Sequence, residues 1–98
     1  MFYVYILISQ IDATLYTGQT GDLKKRLHRH NKGLVISTKR KAPYELGYFE
    51  CFRTRAEAMQ RERDLKTKVS TKQKKKMISN FGKKQIEQII LDSSPNSI

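Results

Sequence analysis

The chain is 98 residues long and carries 20 Lys and Arg against 9 Asp and Glu, a net charge of +11 at pH 7. This length fits one domain with a single core, and the excess positive charge favours a polyanionic partner, with nucleic acid as the leading candidate. No segment approaches the roughly 18 apolar residues of a transmembrane helix, and residues 1–9 lack the basic start of a signal peptide, so we expect a cytoplasmic protein that does not enter a membrane. The lone Cys51 excludes a disulfide framework or a cysteine zinc site and is expected to be a small buried hydrophobic residue.

The N-terminal segment predicts a β-hairpin. Residues 2–8, FYVYILI, form an apolar run rich in aromatic and β-branched types, which is typical of a central strand covered on both faces. Ser9 and Asp12 give the next residues turn character, and residues 15–19, LYTGQ, predict the return strand.

Whether the tyrosines of this hairpin share one face of the sheet depends on how the two strands are paired. Side chains alternate along a strand, so Tyr3 and Tyr5 lie on the same face. Tyr16 and Gly18 join them if the loop has an even number of residues, because directly opposed positions then sum to an odd number. A glycine at a strand end lets a ligand come close, which makes Gly18 a candidate contact for nucleic acid.

Residues 20–33 predict the first helix. Thr20 or Asp22 can cap its start, Leu23 and Leu27 form its apolar stripe, and a glycine at position 33 ends it.

Arg26 and His30 are spaced to project from one edge of the face of this helix that packs on the sheet. Each residue alone is typical of a solvent-exposed or structural side chain. Together, a guanidinium and an imidazole four residues apart can hold a phosphate.

A basic loop follows at residues 35–43, and residues 44–52 predict a third strand. Thr54 and Glu57 form a capping box at the head of a second helix, which gives Glu57 a structural role. Beyond residue 66 the Lys-rich sequence predicts one or two further helical turns. We expect one domain over residues 1–86 and a partly disordered C-terminal tail over residues 87–98.

Glu62 lies at the edge of the apolar stripe of the second helix, because Ala58 and Leu65 are four residues before it and three residues after it. A carboxylate at that edge is costly unless it has a partner. The partner is either a Lys or Arg in an ion pair or a hard divalent cation, and the pattern leaves both readings open.

These residues resemble the GIY-YIG nuclease superfamily. The matching features are YVY at 3–5, YTG at 16–18, Arg26, His30 and an acid within EAMQRERDLK. The resemblance covers about residues 2–78 and is greatest to the small stand-alone bacterial members. It implies an α+β fold in which a three-stranded antiparallel β-sheet is flanked by helices in the order β-β-α-β-α-α.

The resemblance also implies roles for individual residues in cutting phosphodiester bonds with one Mg²⁺ or Mn²⁺ ion. The family acid follows A-x-x-x, which fits Glu62 and not Glu57. The motif residues are then the tyrosines Tyr5 and Tyr16, the glycine Gly18, the phosphate-side residues Arg26 and His30, and the metal ligand Glu62. Either tyrosine can deprotonate the attacking water, and we expect both helices to face the tyrosines around one hollow.

Some positions depart from the family pattern. Tyr3 stands where the family usually has Gly, and Thr17 replaces the usual Ile. Many members carry an Asn a dozen or more residues after the acid, where this chain has KQKKKM, with Asn80 only later. This leaves open whether Lys66 or Lys72 takes the place of the Asn.

The predicted function is therefore a metal-dependent endonuclease acting on nucleic acid, with DNA as the favoured substrate, with little base specificity and with structure-selective cutting left open. The residues expected to bind backbone phosphates are Lys24, Lys39, Arg40, Lys66 and Lys72. Two alternatives stay open: a non-catalytic nucleic-acid-binding module with the same fold, and a basic protein-interaction domain.

Overall fold

A computed structural model describes the backbone of residues 1–92 and the side chains of residues 1–82. Three antiparallel strands form one sheet in the order β2-β1-β3: β1 (Phe2–Ser9), β2 (Leu15–Thr20) and β3 (Tyr44–Phe52). The hydrophobic first strand is therefore the central one, as its sequence predicts. Strand β2 is an edge strand, and no strand in the described part of the chain pairs with its outer side.

The helices are α1 (Leu23–Asn31), α2 (Arg55–Thr67) and α3 (Thr71–Asp92), with a short 3-10 helix at Lys39–Lys41. Within the described residues this confirms the α+β fold and the predicted order. The third helix is longer than expected, because residues 87–92, which the sequence assigned to the tail, are helical. Residues 93–98 lie outside the described residues. No helix in the described part of the chain is long and apolar enough to cross a membrane.

The helix starts follow the predicted capping residues. The Asp22 side chain accepts a hydrogen bond from the backbone N–H of Lys25 at 3.0 Å, and Thr54 and Glu57 form the complete capping box of α2. Gly33, just past α1, has a φ of +72°, which glycine adopts at little cost.

The sheet has two cores, one on each face. On one face β1 and α2 form an apolar cluster of Val4, Ile6, Ala58 and Leu65. On the other face the buried cluster is Tyr5, Leu7 and Tyr44, with Leu23 and Leu27 of α1 packed against it. Helices α1 and α2 therefore lie on opposite faces. The expectation that both helices face the tyrosines is wrong, because α2 covers the side chains that alternate with the tyrosines.

Candidate active site

The hairpin register brings the two motif tyrosines to one face. Tyr5 pairs with Gly18 and Leu7 pairs with Tyr16, so opposed residue numbers sum to an odd number. The two phenol rings lie with their centroids 6.4 Å apart. The register that the sequence analysis required is confirmed.

Gly18 makes room for the Tyr5 ring. A Cβ atom at Gly18 would lie 2.6 Å from Tyr5 Cζ and closer still to its hydroxyl oxygen, which is too close for any side chain. The phenol can therefore extend across β2 toward the open edge of the sheet. Gly18 is buried beneath the Tyr5 ring. The space next to Gly18, which we expected a nucleic acid to occupy, is therefore filled by Tyr5. Gly18 acts by positioning that ring.

The Tyr5 hydroxyl is the centre of a hydrogen-bonded chain. Its oxygen lies 2.9 Å from His30 Nε2 and accepts a hydrogen bond from Arg26 Nε at 3.4 Å. Tyr5 is 1% exposed and His30 0%. Arg26 and His30 do project from one edge of α1, and that edge lies against the tyrosine.

Burial and nearby charge shift the pKa values of Tyr5 and His30 in this hydrogen-bonded chain. Burial is the main cause that raises the pKa of Tyr5, while the hydrogen bond from Arg26 lowers it. Burial, followed by the positive charge of Arg26, lowers the pKa of His30 to about 4. His30 is therefore neutral at pH 7 and buried, so the expectation that it holds a phosphate beside Arg26 is corrected: it contacts Tyr5 instead.

Arg26 is the cation of the cluster that reaches the surface. It is half-buried, and its pKa is raised, first by the hydrogen bond to Tyr5 and also by the nearby Tyr16 phenol. A guanidinium has five N–H donors in a planar fork, and Tyr5 uses only the Nε donor. The geometry suits a phosphate bound at the outer side of Arg26.

Glu62 reaches this region from the opposite face. Arg61 and Glu62 flank the sheet-facing stripe of α2 on either side, and Arg61 pairs with Glu50 of β3 at 2.6 Å. Glu62 therefore projects toward β2, where its negative charge is one of the smaller causes that raise the pKa of Tyr5. Its described ion pair is a 3.9 Å contact with the half-exposed Lys66, which is too long and too solvated to hold the carboxylate firmly.

Two side chains, Glu62 and Gln19, place oxygen atoms on the α2 side of β2. The Glu62 side chain is 25% exposed, so its carboxylate is accessible. Gln19 follows Gly18 and points to the face covered by α2, and its buried Oε1 has no hydrogen-bond partner among the residues that the structure describes. No group of three His, Cys, Asp or Glu that could bind a metal exists among the described residues. Such a sparse set suits a cation that keeps most of its water ligands.

Comparison with known proteins agrees with the geometry. The model of the GIY-YIG catalytic domain matches residues 1–91. The chain is a member of the GIY-YIG family. A UPF0213 protein of Haloquadratum walsbyi is 40% identical over 81 residues, which cover 82% of this chain and 88% of that protein. A UPF0213 protein of Staphylococcus saprophyticus is 42% identical over 78 residues, or 79% and 93% of the two chains.

A solved structure is also similar to this GIY-YIG chain. It is the solution NMR structure of a UPF0213 protein from Bacillus halodurans, which is 28% identical. The match covers 99% of this chain and 92% of that one, with a TM-score of 0.45.

Asn80, the asparagine that follows the KQKKKM segment, lies near β3. It lines a small hollow with Tyr48, Met77 and Phe81 beside β3, the edge strand opposite β2. Lys74, which belongs to the same Lys-rich segment, is half-buried, and its pKa is lowered by burial and by the charge of Lys66.

The basic residues that were predicted to bind phosphates are all exposed. They are Lys24, Lys39, Arg40, Lys66 and Lys72. Lys24 lies on α1, and Lys39 and Arg40 lie in the 3-10 helix that follows α1. Lys66 lies on α2 and Lys72 on α3. These basic residues lie on elements at both faces of the sheet, and their role in binding remains a prediction.

Cys51 does not behave as predicted. It is exposed and lines a hollow of about 650 Å³ together with Tyr3, Leu27 and Phe49. Tyr3 and Cys51 are paired at the end of the sheet where α1 begins, and the helix does not cover that end. The strand pattern around Cys51 predicts burial, but burial depends on how far the neighbouring helix extends.

Proposed function

We propose that this protein is a divalent-metal-dependent endonuclease that cuts DNA with little base specificity. The observation that carries the proposal is the Arg26–Tyr5–His30 chain beside the open edge of β2, with the accessible carboxylate of Glu62 on the other side of that strand. Membership in the GIY-YIG family supports phosphodiester hydrolysis as the chemistry.

Arg26 would bind the scissile phosphate. Its guanidinium is held in place by Tyr5 and keeps further donors for phosphate oxygens. Negative charge accumulates on these oxygens as the water attacks, and a positioned cation in a partly buried site stabilises it more than in water. Tyr16 is half-buried in the same cluster and would contact the same phosphate.

Tyr5 would serve as the general base through a proton relay. It is the phenol that has an onward acceptor, His30 Nε2 at 2.9 Å. The attacking water loses a proton to the Tyr5 oxygen while Tyr5 passes its own proton to His30. The water oxygen forms the new P–O bond, and the leaving oxygen departs with its bonding electrons and takes a proton from solvent. A relay avoids a free tyrosinate, which the raised pKa of the buried Tyr5 disfavours.

Glu62 would hold the Mg²⁺ or Mn²⁺ ion, with the amide oxygen of Gln19 on the same side of β2 as a further oxygen donor. The ion would supply charge neutralisation at the phosphate and leaving oxygen. The protein's own contribution is to present the carboxylate at the open edge of the sheet, where a DNA backbone can reach it.

Cleavage of supercoiled plasmid tests this function. Wild-type protein should nick the plasmid with Mg²⁺ or Mn²⁺ and should not do so in EDTA. Glu62→Gln should lower the nicking rate by about 100-fold or more, because it removes the metal ligand while keeping the side-chain shape.

Asp64→Asn is the matched control. Asp64 lies on the same helix and also pairs with a lysine four residues later, Lys68 at 3.5 Å. This variant should nick like wild type. The proposal fails if wild type binds DNA with steep salt sensitivity and never cuts it with any divalent metal, which would instead establish the non-catalytic binding module.

A further inference from the structure

Thr38 is a buried residue that no motif singles out. It lies between α1 and the 3-10 helix, is 0% exposed, and places its hydroxyl oxygen 2.7 Å from His30 Nδ1. The same hydroxyl donates to the backbone carbonyl of Val35 at 3.3 Å. Thr38 therefore extends the chain of Arg26, Tyr5 and His30 by one further group.

The direction of each hydrogen bond in this chain follows from the donors available. Arg26 has only N–H donors, so it can give a proton to the Tyr5 oxygen but cannot accept one. The Tyr5 proton must then point to His30 Nε2 at 2.9 Å, which requires that nitrogen to be unprotonated. Neutral His30 therefore carries its proton on Nδ1 and donates it to Thr38, whose own proton goes to the carbonyl of Val35.

The opposite tautomer breaks this sequence. With the proton on Nε2, both His30 and Arg26 would donate to the Tyr5 oxygen, and the Tyr5 proton would have no acceptor among the contacts of the described residues. Leaving a buried donor without a partner costs about 1 to 3 kcal/mol. In the resting protein a doubly protonated His30 is also disfavoured, because the ring is buried and Arg26 is close by.

We propose that Thr38 is a positioning residue that holds His30 in the Nδ1–H tautomer and so keeps Nε2 available as the acceptor of the Tyr5 proton. The assignment of the His30 tautomer depends only on the hydrogen bonds of the structure, whereas its consequence for cleavage rests on the proposed function. The backbone supports this arrangement, because Thr38 N–H donates to Val35 and Lys41 N–H donates to Thr38, both at 3.1 Å. These two backbone hydrogen bonds fix the position of the turn from which the Thr38 hydroxyl projects.

The tautomer can be read directly from the ¹⁵N and ¹H NMR signals of the imidazole rings in the intact protein at pH 7. Wild type and Thr38→Ser should show His30 protonated at Nδ1 alone, because serine keeps the hydroxyl. Thr38→Val, which removes the hydroxyl at nearly constant shape, should shift His30 toward the Nε2–H tautomer. Exposed His28 is the internal reference and should be the same in all three proteins.

Two spectra would overturn the proposal: Nε2–H in wild type, or an unchanged Nδ1–H signal in Thr38→Val. The wild-type spectrum decides the first point even if the valine variant does not fold. Neither measurement needs nuclease activity, so a wild type that never cuts DNA would refute the proposed function and leave the tautomer assignment to be judged separately.

Cleavage kinetics test the consequence. Thr38→Val should lower kcat by about 10-fold or more and leave KM within about twofold, because a misdirected imidazole impairs proton transfer without touching the substrate. Thr38→Ser should stay within about threefold of wild type. A valine variant that cuts as fast as wild type would overturn the positioning role.

Discussion

The two faces of the sheet are built on different principles. The face under α2 is closed by aliphatic contacts of Val4, Ile6, Ala58 and Leu65, whereas the face under α1 buries hydroxyl and imidazole groups that hold one another by hydrogen bonds. Apolar packing stabilises without fixing directions. A buried polar chain fixes the direction of each bond and is costly when any partner is lost. The difference indicates that one face maintains the fold and the other maintains the geometry of the site.

The largest effect on stability should come from the apolar face. Leu65→Ala removes a fully buried side chain and should lower the free energy of unfolding by about 2 to 5 kcal/mol. Chemical denaturation measures this loss. The His30 tautomer of the folded fraction should be unchanged, and a changed tautomer would show that the two faces are not independent.

The polar face should give the protein a pH-dependent stability that the apolar face lacks. The pKa of His30 is about 4 when folded, below its ordinary value of 6.5, so the unfolded chain takes up the proton first as the pH falls. The contribution of neutral His30 is therefore complete above pH 6.5 and is lost as the pH drops toward 4. Between pH 7 and about 4.5 the free energy of unfolding should fall by about 2 to 3 kcal/mol.

Two variants isolate that titration. His30→Gln should remove this part of the pH dependence, and His28→Gln, at an exposed position, should keep it. Stopping the titration near pH 4.5 avoids the carboxylate of Asp12, whose pKa is held below its ordinary 3.8, mainly by a hydrogen bond from Thr14. Equal curves for wild type and His30→Gln would contradict the buried neutral imidazole.

A single methyl group should disturb the polar face. Gly18→Ala places a Cβ against the Tyr5 phenol and should lower the free energy of unfolding by about 1 to 3 kcal/mol, with loss of the Tyr5–His30 hydrogen bond. Gly82→Ala is the control, because no atom from another element of the described residues lies within 4 Å of its Cβ position. In a helix that change should be neutral or stabilise by up to about 1 kcal/mol. Equal stability of the two variants would mean that Tyr5 does not lie over Gly18.

The smallest effect should be on binding. Replacing both Lys39 and Arg40 with Gln removes two exposed charges beside Thr38 on the α1 side. The slope of log affinity against log salt on duplex DNA should become shallower by about 2, and the rate of cleavage at saturating DNA should be unchanged. An unchanged slope would place the DNA away from this face.

Much of this architecture could be predicted from the sequence because it depends on local chemistry. Strand alternation placed Tyr5 and Tyr16 on one face, given a strand pairing in which the numbers of opposed residues sum to an odd number. The cap Thr54 of α2 was read from hydrogen-bonding groups within three residues of the helix start, and the same signal narrowed the cap of α1 to Thr20 or Asp22, of which the structure shows Asp22.

Other features depend on contacts between distant elements, and the sequence carries no local signal for them. Which face α2 covers is decided by the chain path after β3, and the exposure of Cys51 is decided by where α1 begins. Thr38 was missed because a threonine in a basic loop has no periodic pattern. Only the folded loop brings its hydroxyl to His30, eight residues earlier.

The central claim is that the site spans the edge strand, with the polar chain on one side of β2 and Glu62 on the other. Binding of Mn²⁺ together with a cleavage-resistant phosphorothioate oligonucleotide tests it directly, because the paramagnetic ion broadens the NMR signals of nearby nuclei. The broadening should centre on the backbone amides of β2 and on Glu62, should vanish in Glu62→Gln and should persist in Asp64→Asn. Broadening that centres elsewhere, or that is the same in Glu62→Gln, would contradict a site shared between the two faces.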